Sequence, residues 1–443
     1  MNIHLATLGC KLNESEIQAW ARQLARAGHV LVNDVHAADV IVLNTCTITH
    51  VAARKTRQLA RQFARVNPHA RLVLTGCFVT ISPDEARALP NVALIVPNAD
   101  KDRLPLQIAD LRLPVENEHT RQSAIENLKS RTRAFVKIQD GCNFACAYCI
   151  IPRARGAERS RPRDEIVAEV RALVDAGYKE IVLTGVQISS YRDRGANFQF
   201  ALHDVVAAIL AETNVPRLRL TSLAPWDVDD ALLEVWRDAR VCRHIHLSLQ
   251  SGCDATLRRM RRPYTTAQFA RAVERVRAKI PDVGITTDVI VGFPGETDAE
   301  FQASLRFVER VHFSRVHVFP YSRRAGTPAA TFPDQVPDAV KQARARQMQA
   351  IADASQRAFA QRFVGRELMV LWESGDEGRM TDDEGRVAED EGRMTKDEER
   401  RTVWSGYSDN YIRVVTTSAR DLHNQLTRAH VIGITDEGVV ATV

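Results

Sequence analysis

The sequence predicts an α/β fold in three pieces. These are a doubly wound N-terminal α/β domain, a partial (β/α)6 TIM-like barrel, and a small C-terminal antiparallel β barrel. Three observations carry that assignment. Short apolar runs near the start alternate with helical spacing, a second and longer strand–helix series follows a polar stretch, and the chain ends in closely spaced short strands. At about 150 residues per domain, 443 residues accommodate three such units.

In the first piece, residues 1–113, the runs Ile3–Leu8, Val40–Leu43 and Leu72–Leu74 read as buried strands. Glu14–Ala27 and Val51–Val66 read as helices, the second with many arginines on its polar side. A cysteine follows each strand: Cys10 in TLGCKLN, Cys46 in LNTCTIT and Cys77 in LTGCFVT. Strand ends in a parallel sheet lie along one edge, so these three cysteines are expected to converge there. Free cysteine is commonly buried, and three small core thiols is the bland alternative. Core cysteines belong within strands or on apolar helix faces, whereas these sit in loops beside Gly or Thr, which favours metal ligation.

Residues 114–133 are polar without apolar periodicity and read as a linker. The second piece, 134–363, opens with a strand at Ala134–Gln139 and then DGCNFACAYCIIPRARG, in which Cys142, Cys146 and Cys149 form C-x3-C-x2-C. Eight cysteines in 443 positions produce such a triplet by chance only about 0.003 times. Structural zinc prefers four ligands in paired C-x2-C units, and no second pair follows. Three thiolates on an iron–sulfur cluster, with one iron open to another ligand, fit better. Further strands are expected at Glu180–Leu183, Arg217–Thr221, Ile245–Leu249, Thr286–Val291 and Arg315–Phe319. Helices fall between them at Asp164–Ala176, Asp227–Ala239, Thr265–Lys279 and Asp298–Arg310. That makes six βα units, short of the eight of a full barrel. The loops after these strands are rich in Gly, Ser, Thr and Gln, as a cofactor-binding rim should be, although each could be a plain turn.

A long helical segment, Asp334–Phe363, leads to the third piece, 364–443. Glu367–Trp372, Val403–Tyr407, Asn410–Thr416 and two terminal apolar stretches suggest the small barrel. The stretch 375–399 holds 11 acidic and 4 basic residues, so a chain of net +5 has a body of net +12. Such a body suits a polyanion, though it also suits a merely soluble surface. Within the insert at 375–401, EGR recurs every seven residues with glycine in every copy. There is no apolar seam, which argues against a coiled coil. Composition predicts a disordered, repeat-expanded loop, with an autoinhibitory acidic arm as the alternative. No 18-residue apolar run predicts a membrane helix, and the N-terminus lacks signal-peptide character. A cytoplasmic protein is expected, in which unpaired cysteines serve as ligands or catalysts.

The cysteine loop, with Tyr148 before its last cysteine, resembles the radical S-adenosylmethionine (SAM) enzymes. With the three upstream cysteines, KIQDGCNFACAYCIIPRARG, HLSLQSGCD, DVIVGFPGET and SGYSDNYIRV, nearly the whole chain resembles the methylthiotransferase family. TLGCKLNESE and LNTCTITHVAARKTRQ resemble its MtaB-type branch, which acts on N6-threonylcarbamoyladenosine at tRNA position 37. Relatives acting on isopentenyladenosine usually carry Gln-Met, and those acting on a ribosomal protein Pro-Lys, where this chain has Lys11 and Leu12.

The resemblance implies a radical SAM barrel with Cys142, Cys146 and Cys149 on a 4Fe–4S cluster that chelates SAM. It implies a second 4Fe–4S cluster on Cys10, Cys46 and Cys77, and a TRAM-like RNA-binding domain at the end. Tyr148, Gly185, Gln187, Ser248 and Gln250 would lie where the family holds SAM. Arg153, Arg155 and Arg161 would face tRNA phosphates, and Tyr407, Tyr411 and Arg413 would meet RNA. Solvated arginines are the plainer reading of Arg153, Arg155 and Arg161, and barrel-core packing that of the two tyrosines. Adenine C2 bears a hydrogen of no acidic character, so its replacement calls for radical chemistry carried by a cofactor. The implied partners are the tRNA anticodon loop, an electron donor such as flavodoxin or ferredoxin, and a sulfur donor, with no membrane. The same chemistry on isopentenyladenosine or a ribosomal protein is one alternative. A cluster carrier without SAM chemistry is another, although it would need neither the rim loops nor an RNA-binding-like domain. Cys253, where relatives usually have serine, and Cys242 read as non-ligands.

Overall fold

The computed structural model describes residues 1–111, 132–194, 199–377 and 402–443. Most of the expected linker, and the acidic insert beyond residue 377, therefore lie outside the described residues. No described helix is long and apolar enough to cross a membrane.

The N-terminal unit is a five-stranded parallel sheet: β1 (Asn2–Thr7), β2 (Val30–Leu31), β3 (Val40–Thr45), β4 (Arg71–Gly76) and β5 (Val92–Val96), in the order β2-β1-β3-β4-β5. Its double winding follows from alternation along β3. Val40 and Val42 join the core built by Ile17, Trp20 and Leu24 of α1 (Lys11–Arg26), while Ile41 and Leu43 join Ala53, Ala60 and Phe63 of α2 (His50–Val66) on the other face. β2 and β5, which the sequence pattern did not suggest, are the edge strands of this sheet.

The central unit is a six-stranded parallel partial barrel. Its strands are β6 (Arg133–Lys137), β7 (Glu180–Thr184), β8 (Arg217–Leu220), β9 (His244–Leu247), β10 (Gly284–Val291) and β11 (Arg315–Pro320). β6, β7 and β8 pair in sequence, as do β9, β10 and β11, and a bridge between Leu218 and Val241 joins the halves. Alternate residues (Ala134, Val136, Ile181, Leu183, Leu218, Ile245, Leu247, Ile285, Val289) point outward into the core beneath the crossover helices. The inward residues are polar or charged: Arg217, Arg219, His244, His246, Thr286, Asp288 and His317.

Between β6 and β11 the barrel is open, and the N-terminal unit covers that side. The β6 edge is capped by Gln18 of α1, whose side-chain oxygen accepts the Phe135 N–H at 2.9 Å. On the β11 side, Arg324 donates to Thr47 at 2.6 Å, and the His50 ring donates to the Arg323 carbonyl.

The C-terminal unit is a closed barrel of β12 (Glu367–Glu377), β13 (Thr402–Ser408), β14 (Arg413–Ser418), β15 (Leu426–Ile434) and β16 (Gly438–Thr442), ordered β12-β13-β14-β16-β15. It corrects the expected all-antiparallel arrangement, because β14 and β16 pair in parallel to close the ring. The strand expected at Asn410–Thr416 begins later, at Arg413. Asn410–Ile412 form a turn in which Tyr411 takes φ +69° and the Ile412 N–H donates to the Ser408 hydroxyl at 2.9 Å. This turn plugs the bottom of the central barrel. Arg219 holds Glu180 at 2.7 Å and donates to the Ser408 and Asp409 carbonyls, while Arg243 pairs with Asp409 at 2.6 Å.

Candidate functional site

β1, β3 and β4 are neighbours in one parallel sheet, so the loops after them emerge side by side and carry Cys10, Cys46 and Cys77 to one edge. The approach is tight. A Cβ on Gly9, which sits at φ +120°, would meet the Cys46 Cβ at 2.8 Å and its sulfur at 3.1 Å, so only glycine lets β1 turn against Cys46. Cys10 is exposed while Cys46 and Cys77 are buried, which leaves the trio open on one side.

Burial pushes the Cys46 thiol up to about 11, with the neighbouring Cys77 and Cys10 sulfurs adding to the rise and Arg155 opposing it. Thiolates brought to one sheet edge, two of them buried, need positive charge among them, which the iron of a cluster supplies. The chain has placed polar partners around them: the Asn98 amide donates to the Cys77 sulfur at 3.6 Å, and Arg155 lies near both Cys77 and Cys10. The donor set fits an iron–sulfur cluster.

The second trio lies on the loop after β6. Gly141, at φ +71°, precedes it where a Cβ would strike the Ala157 carbonyl oxygen at 2.0 Å, so this strand exit also requires glycine. The Phe144 N–H points at the Cys142 sulfur at 3.4 Å, the Ile151 N–H at the Cys149 sulfur at 3.5 Å, and the Arg262 guanidinium at the Cys146 sulfur at 3.2 Å. Burial raises the Cys142 thiol and pushes Cys149 up to about 12, partly offset by those N–H donors. N–H and guanidinium groups aimed at sulfur suit thiolates and therefore suit a bound cluster. Tyr148 is set against Phe293 edge to face, with centroids 6.5 Å apart.

The rim expected to hold SAM is assembled by a residue that sequence reasoning missed. The Gln139 side-chain oxygen accepts the N–H groups of Val186 and Gln187 at 2.9 and 3.0 Å, and a Cβ on Gly185 would collide with it at 2.9 Å. Gln187 and Ser189 both donate to Asp227, at 3.3 and 2.8 Å, tying the β7 loop to the β8 loop. Gln250 takes φ +69°, and its backbone continues the pairing with β10 beyond the end of β9. Ser248 is half-buried on the same loop.

Above Cys146, Arg262 lies 5.1 Å from the ring centres of both Trp226 and Tyr264, and Phe144 packs on Trp226 at 5.2 Å. Nothing in the spacing of these four residues announced this cation–aromatic stack, because they come from three separate loops.

The arginines and tyrosines assigned to RNA divide. Arg153 is exposed. Arg161 is half-buried, donating to the Lys137 carbonyl and pairing with Glu169 at 2.7 Å. Arg155 does not face solvent: it is 3 % exposed and bonded to Glu16, Asp140 and Asn13, which corrects its assignment to phosphate. Tyr411 is also corrected, since its ring stacks on His244 at 4.6 Å and on Tyr407 at 5.0 Å, beneath the barrel. Tyr407 in turn lies under Arg133 at 5.1 Å. Arg413 pairs with Glu437 at the domain surface. Cys242 is buried against Glu180, and Cys253 precedes the helix Asp254–Arg259.

Residues 136–308 match the family model described as the Radical SAM superfamily, and residues 2–97 match the Uncharacterized protein family UPF0004. Among solved structures, the radical S-adenosylmethionine methyltransferase TsrM from Kitasatospora setae aligns with a TM-score of 0.53 at 14% identity. It covers 74% of this chain and 75% of that one, a likeness of fold alone. The Bacillus subtilis protein named threonylcarbamoyladenosine tRNA methylthiotransferase MtaB is 35% identical over 96% of this chain and 92% of its own length. The Thermotoga maritima protein of that name is 38% identical over 84% and 86%. A tRNA-2-methylthio-N(6)-dimethylallyladenosine synthase from Cereibacter sphaeroides is 35% identical over 84% and 87%. With one cysteine trio at the edge of the N-terminal sheet, a second on the loop after the first barrel strand, and relatives of this length and identity, the chain belongs to the radical SAM methylthiotransferases, in the MtaB family.

Proposed function

We propose that this enzyme replaces the C2 hydrogen of N6-threonylcarbamoyladenosine, at tRNA position 37, with a methylthio group. The observation that carries the reading is the coupling of the two cysteine loops. Asn98 donates at once to the Cys77 sulfur and, at 2.6 Å, to the Ala154 carbonyl just beyond the second trio. One side chain thus ties the loop of the first trio to the segment that follows the second.

Cys142, Cys146 and Cys149 would hold one 4Fe–4S cluster, and Cys10, Cys46 and Cys77 the other. Together with SAM these supply one-electron C–H abstraction and sulfur transfer. The chain's own residues hold and shield. Backbone N–H groups and Arg262 stabilise thiolate charge, Gln139 fixes the β7 loop, and Tyr148, Gly185, Gln187, Ser248 and Gln250 form the SAM rim. The Trp226–Arg262–Tyr264 stack holds the guanidinium against Cys146. Exposed Arg153 is left to meet tRNA phosphates, and Arg161 and Arg413 would do so by exchanging Glu169 and Glu437 for phosphate. A flavodoxin- or ferredoxin-like donor supplies electrons, a separate donor supplies sulfur, and the cytoplasm is the compartment.

Mass spectrometry of tRNA nucleosides from cells lacking the gene, with and without a restored copy, tests this. The methylthio form of threonylcarbamoyladenosine should vanish and return. Loss of methylthio-isopentenyladenosine instead would overturn the substrate, and no change in any methylthio nucleoside would overturn the tRNA reading.

The acidic insert belongs to the domain expected to approach RNA, and 11 acidic against 4 basic side chains should repel phosphate. Deleting 376–399 should tighten tRNA binding about tenfold at low salt, with the gain shrinking as salt rises. Equal affinities across a salt series would refute that.

A further inference from the structure

The inward faces of β9, β10 and β11 carry a polar cluster that the cofactor rim does not use. The strand register sets His246 beside Thr286 and Asp288 beside His317. His246 reaches Asp288 at 3.2 Å through Nε2 and the Thr286 hydroxyl at 3.0 Å through Nδ1, and the His317 ring lies 6.1 Å from that of His246. Asp288 keeps 31 % of its side chain exposed, so the cluster lines open space instead of filling core.

Lys11 reaches this space from the other wall. It is the first residue of α1, next to Cys10, and it is exposed. Its ammonium lies 5.3 Å from the Tyr411 ring centre, on the ring that stacks against His244. It makes no ion pair with any carboxylate among the described residues. Burial raises the Asp288 carboxyl, but the hydrogen bond from His246, helped by the charges of His246, His317 and Lys11, outweighs burial and holds it below the ordinary range. The lumen beside the N-terminal trio thus holds an ammonium that rests on an aromatic face with no carboxylate partner among the described residues, together with two imidazoles and a carboxylate.

Resting on the substrate reading above, we propose that Lys11, His246, Asp288 and His317 form a lumenal subsite that reads the threonyl part of the N6-threonylcarbamoyl group. The threonyl carboxylate pairs with the Lys11 ammonium and an N–H of His317, while Asp288, held in place by His246, accepts from the hydroxyl. C6, which carries the N6 substituent, and C2 both flank N1, so a base reacting at C2 holds this group to one side of the reacting carbon, where a lumenal subsite can meet it. An isopentenyl group offers only hydrocarbon and would strip water from these charges without replacing its hydrogen bonds.

The test uses full-length, cluster-loaded protein and synthetic anticodon stem-loops whose position 37 carries threonylcarbamoyladenosine, its threonyl methyl ester, or isopentenyladenosine. Dissociation constants are read by fluorescence anisotropy. The protein should favour the free acid over its methyl ester by about tenfold or more, as a charge-assisted contact implies. Lys11→Gln should erase that ratio and Lys11→Arg should restore most of it. A ratio near one in the unaltered protein, or a ratio that Lys11→Gln leaves intact, would overturn the subsite. A preference surviving Lys11→Gln but lost in His317→Ala on addition of a chelator would instead assign the three strand residues to a metal ion. Failure of the substrate reading looks different: the unaltered protein would bind and methylthiolate the isopentenyl stem-loop and leave the threonylcarbamoyl one untouched.

Discussion

Replacing Cys46 by alanine should halve the iron content and abolish methylthio product, while reduced protein still cleaves SAM to deoxyadenosine. Cys46 is 5 % exposed, and its thiol is held high by burial and by the sulfurs of Cys77 and Cys10. Removing one small sulfur from that site costs about 1 kcal/mol of packing, too little to unfold a domain. Two remaining thiols do not secure a cluster, so product should fall by about a hundredfold or more. SAM cleavage survives because its cysteines belong to a different loop with its own donors, the N–H groups of Phe144 and Ile151 and the Arg262 guanidinium. Cys146→Ala should lose both outputs. Iron quantitation, deoxyadenosine assay and nucleoside analysis on the two variants decide the matter. Full iron and normal product in Cys46→Ala would show that the N-terminal trio holds nothing.

The cysteines and the central strands were legible for the same reason: each is a local pattern. C-x3-C-x2-C stands on its own, and buried parallel strands read as short apolar runs, which placed all six barrel strands to within a few residues. Edge strands such as Val30–Leu31 carry too few residues for any periodicity to register. The parallel closure of the C-terminal barrel depends on which strands meet, not on their composition.

The side chains around the trios were illegible for a further reason. Arg262, Trp226 and Phe144 come together only through three different loops, and Gln139 looked like the last residue of a strand. The arginines after the cysteine loop looked alike as charges in a polar segment. Only tertiary contact separates exposed Arg153 from buried Arg155.

That separation carries its own expected result: Arg155→Ala should destabilise the protein by about 3–5 kcal/mol and leave the salt dependence of tRNA binding unaltered. Arg155 contacts Glu16 at 3.1 Å, Asp140 at 3.0 Å and Asn13 at 2.6 Å, and Lys101 adds its ammonium to Glu16 and, at 3.3 Å, to Asp140. Glu16 belongs to α1 and Asp140 to the end of the β6 segment, so this buried network joins the N-terminal unit to the barrel between the two cysteine trios. Taking one cation from it strands carboxylate charge in a dry site, which is why the cost exceeds that of any exposed pair.

The pH dependence follows from the carboxylates. Burial alone would raise Glu16, but Lys101, Arg155 and Lys137 outweigh it and hold the group at about 2. A carboxylate depressed on folding contributes stability above its unfolded value, about 4.3, and that contribution is lost as pH falls towards 2. The unaltered protein should therefore lose stability on acidification through that window, and Arg155→Ala should begin from a lower melting temperature and fall less. Thermal melts across pH, paired with a tRNA salt titration, separate the outcomes. A normal melting temperature with a salt slope reduced by about one would return Arg155 to the phosphate-binding surface.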